Sequence, residues 1–168
     1  SLVEREEVDI VVGTVFSNML QAIFKPVVAS ETFLISPNAG PSTFAGKNCN
    51  PFFFATSYQN NQNAEVSGMI ANDQGFTNVF AMAPNYQGGR DNMVGFRQTF
   101  EGPVTDEVFT PLGHRDFSAE LARLSTSDAE ALFTFMPGGM GVRLVKQFDA
   151  AGLSDSLKFM SVFTTDET

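Results

Sequence analysis

Four stretches of the sequence end an apolar run in small or polar residues: VVGTVFSN at 11–18, LISPNAG at 34–40, AMAPNYQGG at 81–89 and FTFMPGGMG at 133–141. Glycine removes the Cβ, proline ends a strand's hydrogen-bond ladder, and Asn or Ser offers a small polar group. A helix beginning just beyond adds N–H groups without intrahelical partners and a partial positive charge suited to a carboxylate. The chemistry these residues can do is noncovalent capture of an organic acid, with Phe16, Tyr86 and Met136 as apolar wall. Gly, Pro and Asn also close strands that bind nothing. What distinguishes these four exits is the repetition.

Covalent machinery does not accompany them. The chain lacks a G-x-S-x-G elbow, a G-x-x-x-x-G-K phosphate loop and a G-x-G-x-x-G turn opening a helix after a strand. The single histidine, His114, sits in PLGHRDF without a cysteine nearby, and reads as a solvated loop residue rather than a metal ligand. Asp73, Asp91, Asp106 and Asp128 fall near expected helix ends or in loops, where capping and solvation account for them. No nucleophile pairs with a base, so an enzyme is disfavoured and neither cofactor nor metal is expected.

The 168 residues are 43% hydrophobic and 17% charged, enough for one mid-sized domain or two small lobes with a buried core. Eighteen Phe against two Tyr and no Trp argue first for packing. A net charge of −9 with scattered basic residues disfavours nucleic acid and anionic membrane as partners. The lone Cys49 excludes an internal disulfide. No run approaches the ~20 apolar residues of a membrane span.

Hydrophobic spacing supplies the elements that would carry the exits. Val8 to Val12 reads as a strand buried on both faces, and Met19, Leu20, Ile23, Phe24 and Val27 stripe a helix that Pro26 kinks or closes. Strands follow at 33–35 and 52–55, with loop between them. Val66, Met69 and Ile70 mark a helix stopped by Gly75. Residues 79–83 form a strand, then Met93, Phe96 and Phe100 stripe a helix. Residues 104–110 form a strand near an edge, and Asp116 caps a helix carrying Leu121 and Leu124. Residues 131–136 form a strand, Val142, Val145 and Phe148 stripe a helix closed by Gly152, and 158–163 form the last strand. Strand and helix alternate with few hairpin signals, which predicts an α/β chain with parallel sheets. The polar TSYQNN at 56–61 divides it into residues 1–57, part of one lobe, and 58–168, most of a second. The first part has three strands but one good helix, too few to cover two faces, so more chain is expected to complete that lobe. SLVEREEVDI reads as the last turn of a helix feeding a strand.

In this order and spacing, VDIVVGTVFSNM, LISPNAGPSTFAGKNCNPFFFATSYQN, MAPNYQGGRDNMVGF, HRDFSAELARL and FMPGGMGVRLVKQFDAAGL resemble the leucine/isoleucine/valine-binding class of periplasmic solute-binding proteins. These are the type I extracellular ligand-binding receptors that serve ABC importers. The resemblance runs over essentially the whole chain. It implies the periplasmic binding protein type I fold: Rossmann-like, doubly wound parallel sheets in two lobes, here with the first lobe incomplete. It further implies a small organic acid or amino acid held in the interlobe cleft without chemistry, with a hinge crossing near residues 56–61. A membrane permease would be the partner and the periplasm the location, with no nucleic acid and no direct membrane insertion. The same fold also serves ligand-sensing domains of receptors and regulators. An α/β enzyme is the remaining alternative, and it would need a catalytic pair.

Carried over by position, Ser17 matches a serine that hydrogen-bonds the ligand carboxylate, with Phe16 and Asn18 beside it. Asn38, Ala39 and Gly40 match the next loop, where Gly40 stands in place of a family threonine. Tyr58 follows in the third loop, and Tyr86 matches the tyrosine that closes over the ligand. Pro137 replaces an aromatic contact next to Met136. Phe163 falls near the acidic residue that receives an amino acid's ammonium, with Asp166 and Glu167 close by in sequence. A buried ammonium needs a carboxylate. The resemblance therefore implies an apolar or aromatic carboxylic acid more readily than an α-amino acid.

Overall fold

Alternate residues of three short apolar runs face one way, and that alternation builds the first sheet. In the computed structural model, which describes residues 2–165, β1 (Ile10–Val12), β2 (Phe33–Ser36) and β3 (Phe53–Ala55) pair in parallel in that order. Register sets Val11 beside Leu34 and Leu34 beside Phe53. Leu20, Ile23, Phe24 and Val27 of α1 (Ser17–Ala29) pack against that face. Phe24 stacks on Phe44 at 3.8 Å between ring centroids, and Phe53 meets both rings edge-on.

The opposite face carries Ile10, Val12, Phe33 and Phe54, and all four are exposed. Among the described residues β1 is the edge strand of this sheet and has one open face, not the double burial its composition predicts. The run is apolar enough, but no described element packs on that side. Pro26 lies in the last turn of α1, which continues to Ala29 and does not end at the proline. The stretch read as loop between β2 and β3 contains two 3-10 turns, Ser42–Phe44 and Gly46–Asn48.

The second sheet has the order β5-β4-β6-β7, all parallel, from β4 (Val79–Pro84), β5 (Val104–Thr110), β6 (Ala131–Thr134) and β7 (Lys158–Ser161). Every residue of β4 is buried. β5 lies at an edge, as its polar interruptions predict. One face packs Phe80, Met82, Leu132 and Met136 with Phe117, Leu121 and Leu124 around α4 (Ser118–Ser125) and Leu144 and Phe148 of α5 (Gly139–Ala150). Elsewhere Phe133 stacks on Phe96 of α3 (Gln87–Thr99) at 4.1 Å and 13°. Contacts divide the chain into two units, residues 1–60 with 86–91, and 61–85 with 92–168.

α2 (Asn60–Asp73) forms where its apolar spacing predicts, but packs through other residues. Val66, Met69 and Ile70 are exposed, whereas Ala64, Gly68 and Ala71 are buried. Small residues bring the backbones of α2 and α3 together. A Cβ at Gly68 would stand 2.2 Å from Thr99 Oγ1 and 2.6 Å from the carbonyl oxygen of Phe96. Overpacking of this kind costs about 1–3 kcal/mol, so Gly68→Ala should lower the urea midpoint despite alanine's better helix propensity. A raised midpoint would show that the helices part at no cost.

Two sequence expectations change on the second unit. His114 is not a solvated loop residue: its ring packs edge-on against Phe117 at 4.9 Å, and Nε2 lies 3.4 Å from a Glu120 carboxylate oxygen. Asp106 lies in β5, where it pairs with Arg123. Asp116 does serve α4 from one residue ahead of its cap, accepting from the Ser118 amide and hydroxyl, and these bonds hold its carboxyl below the usual carboxylate range. β6 and β7 stop two residues earlier than predicted, leaving Phe135, Met136, Val162 and Phe163 in the turns beyond. Asp166 and Glu167 lie outside the described residues.

Candidate functional site

Parallel pairing puts the carboxyl ends of β1, β2 and β3 along one edge, so the loops leaving them gather there. Side chains tie these loops together. Asn38 Nδ2 donates to the Val15 carbonyl at 2.9 Å, and Asn38 Oδ1 accepts from the Tyr58 hydroxyl at 3.2 Å. The Ala39 amide donates to the Thr14 carbonyl, and the Ser36 hydroxyl to the Ala39 carbonyl. Gly40 exchanges bonds with Asn60, its carbonyl accepting the Asn60 amide at 2.8 Å and its amide donating to Asn60 Oδ1 at 3.3 Å. A Cβ at Gly40 would lie 2.1 Å from the Tyr58 carbonyl oxygen. The threonine that the resemblance implies at this position would have no room, because the third loop's backbone occupies that space.

The same edge carries the amino terminus of α1. Phe16 is its capping residue and provides no side-chain cap; its carbonyl accepts the amides of Met19 and Leu20. The amides of Ser17 and Asn18 find no protein acceptor among the described residues. Ser17 is 3% exposed, and its Oγ accepts a hydrogen bond from Asn60 Nδ2 at 2.9 Å. Phe16 meets Tyr86 edge-on at 6.2 Å and 63°. Burial pushes the Tyr86 phenol well above its ordinary range, and nearby Tyr58 and Asp91 push it further; burial also raises Tyr58.

Behind Ser17 lies a network that sequence spacing does not announce. Asp91, expected to be a cap or a solvated acid, is 4% exposed inside α3. Its carboxylate accepts from the Ser42 amide (3.0 Å), the Ser42 hydroxyl (2.6 Å), Asn60 Nδ2 (2.9 Å) and Gln87 Nε2 (2.8 Å). Gln21 Nε2 reaches Gln87 Oε1 and Thr43 Oγ1. Partners as much as 66 residues apart in sequence leave no local pattern to detect.

The structure thus gathers Phe16, Ser17, Asn18, Asn38, Ala39, Gly40, Tyr58 and Tyr86 within the first unit. The other three candidates sit at the tips of β6 and β7 in the second. Met136 is wholly buried in the core there, its amide donating to Thr164 Oγ1 at 2.8 Å, so its side chain presents no surface. Pro137 is half-buried beside it. Phe163, at φ 52°, is 48% exposed and edge-on to Phe135 at 6.4 Å. With Gly138, Val142, Val145, Lys146, Thr164 and Thr165 it lines a cavity of about 390 Å³, and none of these lining residues is acidic. Among the described residues, no group of three or more His, Cys, Asp or Glu is placed to hold a metal, and no helix is long and apolar enough to cross a membrane.

In parallel α/β sheets ligands bind beyond the carboxyl ends of the strands, where free amides and aromatic rings gather in this first unit. The chain belongs to the periplasmic binding protein family, whose sequence profile matches residues 1–168. It is 27% identical over 141 residues to the Leu/Ile/Val-binding protein homolog 6 of Brucella abortus (strain 2308), covering 82% of this chain and 36% of that protein. Among solved structures it is similar to an ABC transporter solute-binding protein from R. palustris in complex with 4-hydroxybenzoate, with 27% identity, a TM-score of 0.89, and coverage of 97% of this chain and 45% of the other. A second R. palustris solute-binding protein, in complex with benzoate, gives 25% identity, a TM-score of 0.92, and coverage of 99% and 47%. The fold is that of type I periplasmic binding proteins, and the chain spans about a third of the curated relative and just under half of the solved structures.

Proposed function

We propose that the chain is part of the extracytoplasmic solute-binding subunit of an ABC importer, which takes a small organic acid and hands it unchanged to a membrane permease. One observation carries this reading: the amino terminus of α1 holds two amides without acceptors among the described residues, next to the buried Ser17 hydroxyl, with Phe16, Tyr58 and Tyr86 around the same strand tips. Helix termini of this kind suit a carboxylate, and aromatic rings suit an apolar or aromatic body. An α-amino acid would need an acceptor for its ammonium. The Asp91 carboxylate already accepts four hydrogen bonds, and the residues lining the cavity at Phe163 include no acid. The benzoate and 4-hydroxybenzoate complexes of the similar proteins favour the same choice, while the name of the Brucella relative favours branched-chain amino acids. Residues 56–61 serve in this reading as a crossing segment that bends as the protein closes on ligand.

A thermal-shift panel on the intact protein tests it. Benzoate and 4-hydroxybenzoate at about a hundredfold over Kd should stabilise by about 2.7 kcal/mol, a shift of several degrees, while leucine and isoleucine shift little. Stabilisation by leucine alone would reject the aromatic acid.

A further inference from the structure

We infer that Asn60, itself fixed by Asp91, is a positioning residue that turns the Ser17 hydroxyl hydrogen toward the ligand's carboxylate. This rests on the reading of Ser17 as a carboxylate contact and adds how that contact is set.

The orientation of the Asn60 amide has one solution. Its Oδ1 faces the Gly40 amide, which can only donate. That leaves Nδ2 on the other side, where it donates to Asp91 Oδ2 at 2.9 Å. With one Nδ2 hydrogen on Asp91, the other points at Ser17 Oγ, 2.9 Å away. Ser17 is therefore the acceptor in that bond and keeps its own hydrogen. Ser17 opens α1, so no helical carbonyl lies three or four residues before it to take that hydrogen, and the Ser17 hydroxyl donates to no described protein group. It is a buried donor left over, beside the two amides of Ser17 and Asn18 that also lack acceptors among the described residues. An anion accepting all three satisfies every one of them, and charge-assisted bonds of this type are the strong ones.

The Asp91 shell makes the setting rigid. Ser42, through its amide and hydroxyl, and Gln87 complete the carboxylate's acceptor positions, so the acid is held without a cation in its shell. An amide held at its oxygen by Gly40 and at its nitrogen by Asp91 cannot rotate to offer its oxygen to Ser17. The polarity of the Ser17–Asn60 bond is thus decided by residues that never touch the ligand.

A double-mutant cycle on the intact protein separates this role from a merely structural one. Isothermal titration with benzoate, and with isoleucine as a second carboxylate probe, is run on wild type, Ser17→Ala, Asn60→Ala and the double variant. Ser17→Ala should weaken binding of the tighter probe by roughly 10-fold or more, the usual cost of losing a hydrogen bond to a charged group. Asn60→Ala should weaken it by about 3-fold or more, less than Ser17→Ala because the freed hydroxyl still finds the anion part of the time. In the Ser17→Ala background, Asn60→Ala should cost nothing further, while the ligand-free melting temperature falls in both backgrounds. Asn60→Asp keeps the shape and reverses the polarity: the Ser17 hydrogen turns to the new acceptor, and affinity drops at least to that of Ser17→Ala.

Binding losses by Asn60→Ala that persist undiminished in the Ser17→Ala background would overturn the inference and leave the ligand reading intact. So would Asn60→Asp binding as tightly as wild type, a result available even where Asn60→Ala does not fold. Ser17→Ala without effect, or wild type binding neither probe, would overturn both.

Discussion

Replacing Phe133 with alanine is expected to cost about 3–5 kcal/mol and to lower the thermal midpoint by roughly 10 °C. Phe133 has no exposed surface and lies in β6, which is paired on both sides, to β4 and β7. Its ring stacks on Phe96 at 4.1 Å, and Phe96 in turn tilts against Phe100 at 5.1 Å. Two flanking strands keep the backbone from closing over the lost ring, so the cavity persists and its cost adds to the transfer term. Phe133→Leu, which retains most of the volume, should lose less than about 1.5 kcal/mol. Equal midpoints for wild type and Phe133→Ala in both heat and urea would mean that the stack does not organise the second unit.

Asp91→Ala should be comparably damaging, about 3–5 kcal/mol, by a different route. The carboxylate is the common acceptor of four donors, and leaving buried donors without one costs about 1–3 kcal/mol each, less whatever water recovers. The loss falls on a defined place. The Ser42 amide has Asp91 Oδ2 as its acceptor and opens a 3-10 turn. Hydrogen exchange of that amide should accelerate sharply in Asp91→Ala, whereas amides in the fully buried β4 should keep their protection relative to global stability. Unchanged exchange at Ser42 would show that the turn holds without the acid. Asp91→Asn preserves volume and one acceptor oxygen but sets an amide NH2 against the remaining donors, so it should recover only part of the loss.

Much of the fold is readable from residue order, because alternation of β-rich runs with 3.6-period stripes is a local signal and parallel pairing follows from it. β4 and β6 are plain in the sequence as mostly apolar runs, and both prove wholly buried. Packing partners are not local, and there the reading slips. The apolar spacing in α2 finds the helix and misassigns its face, since Ala64, Gly68 and Ala71 permit a close helix approach that larger residues would block. β1 has the composition of an interior strand, but no described element covers its outer side. At the candidate site, the strand exits and their aromatic residues are legible because Gly, Pro and Asn mark them. Asn60, Ser42 and Asp91 are not, because an isolated polar residue at or near a helix start resembles a cap or a solvated side chain until the fold joins positions 31 and 49 residues apart.

That separation bears on the order of events during synthesis. Residues 86–91 group with residues 1–60 although a strand and most of a helix intervene. A nascent chain released only as far as residue 60 can pair its three strands, yet Asn60 then lacks the acid that fixes its amide, and Ser17 can offer its hydrogen in any direction. Synthesis in chain order releases the three strands first, and the network of Ser17, Asn60 and Asp91 can close only once Asp91 has left the ribosome.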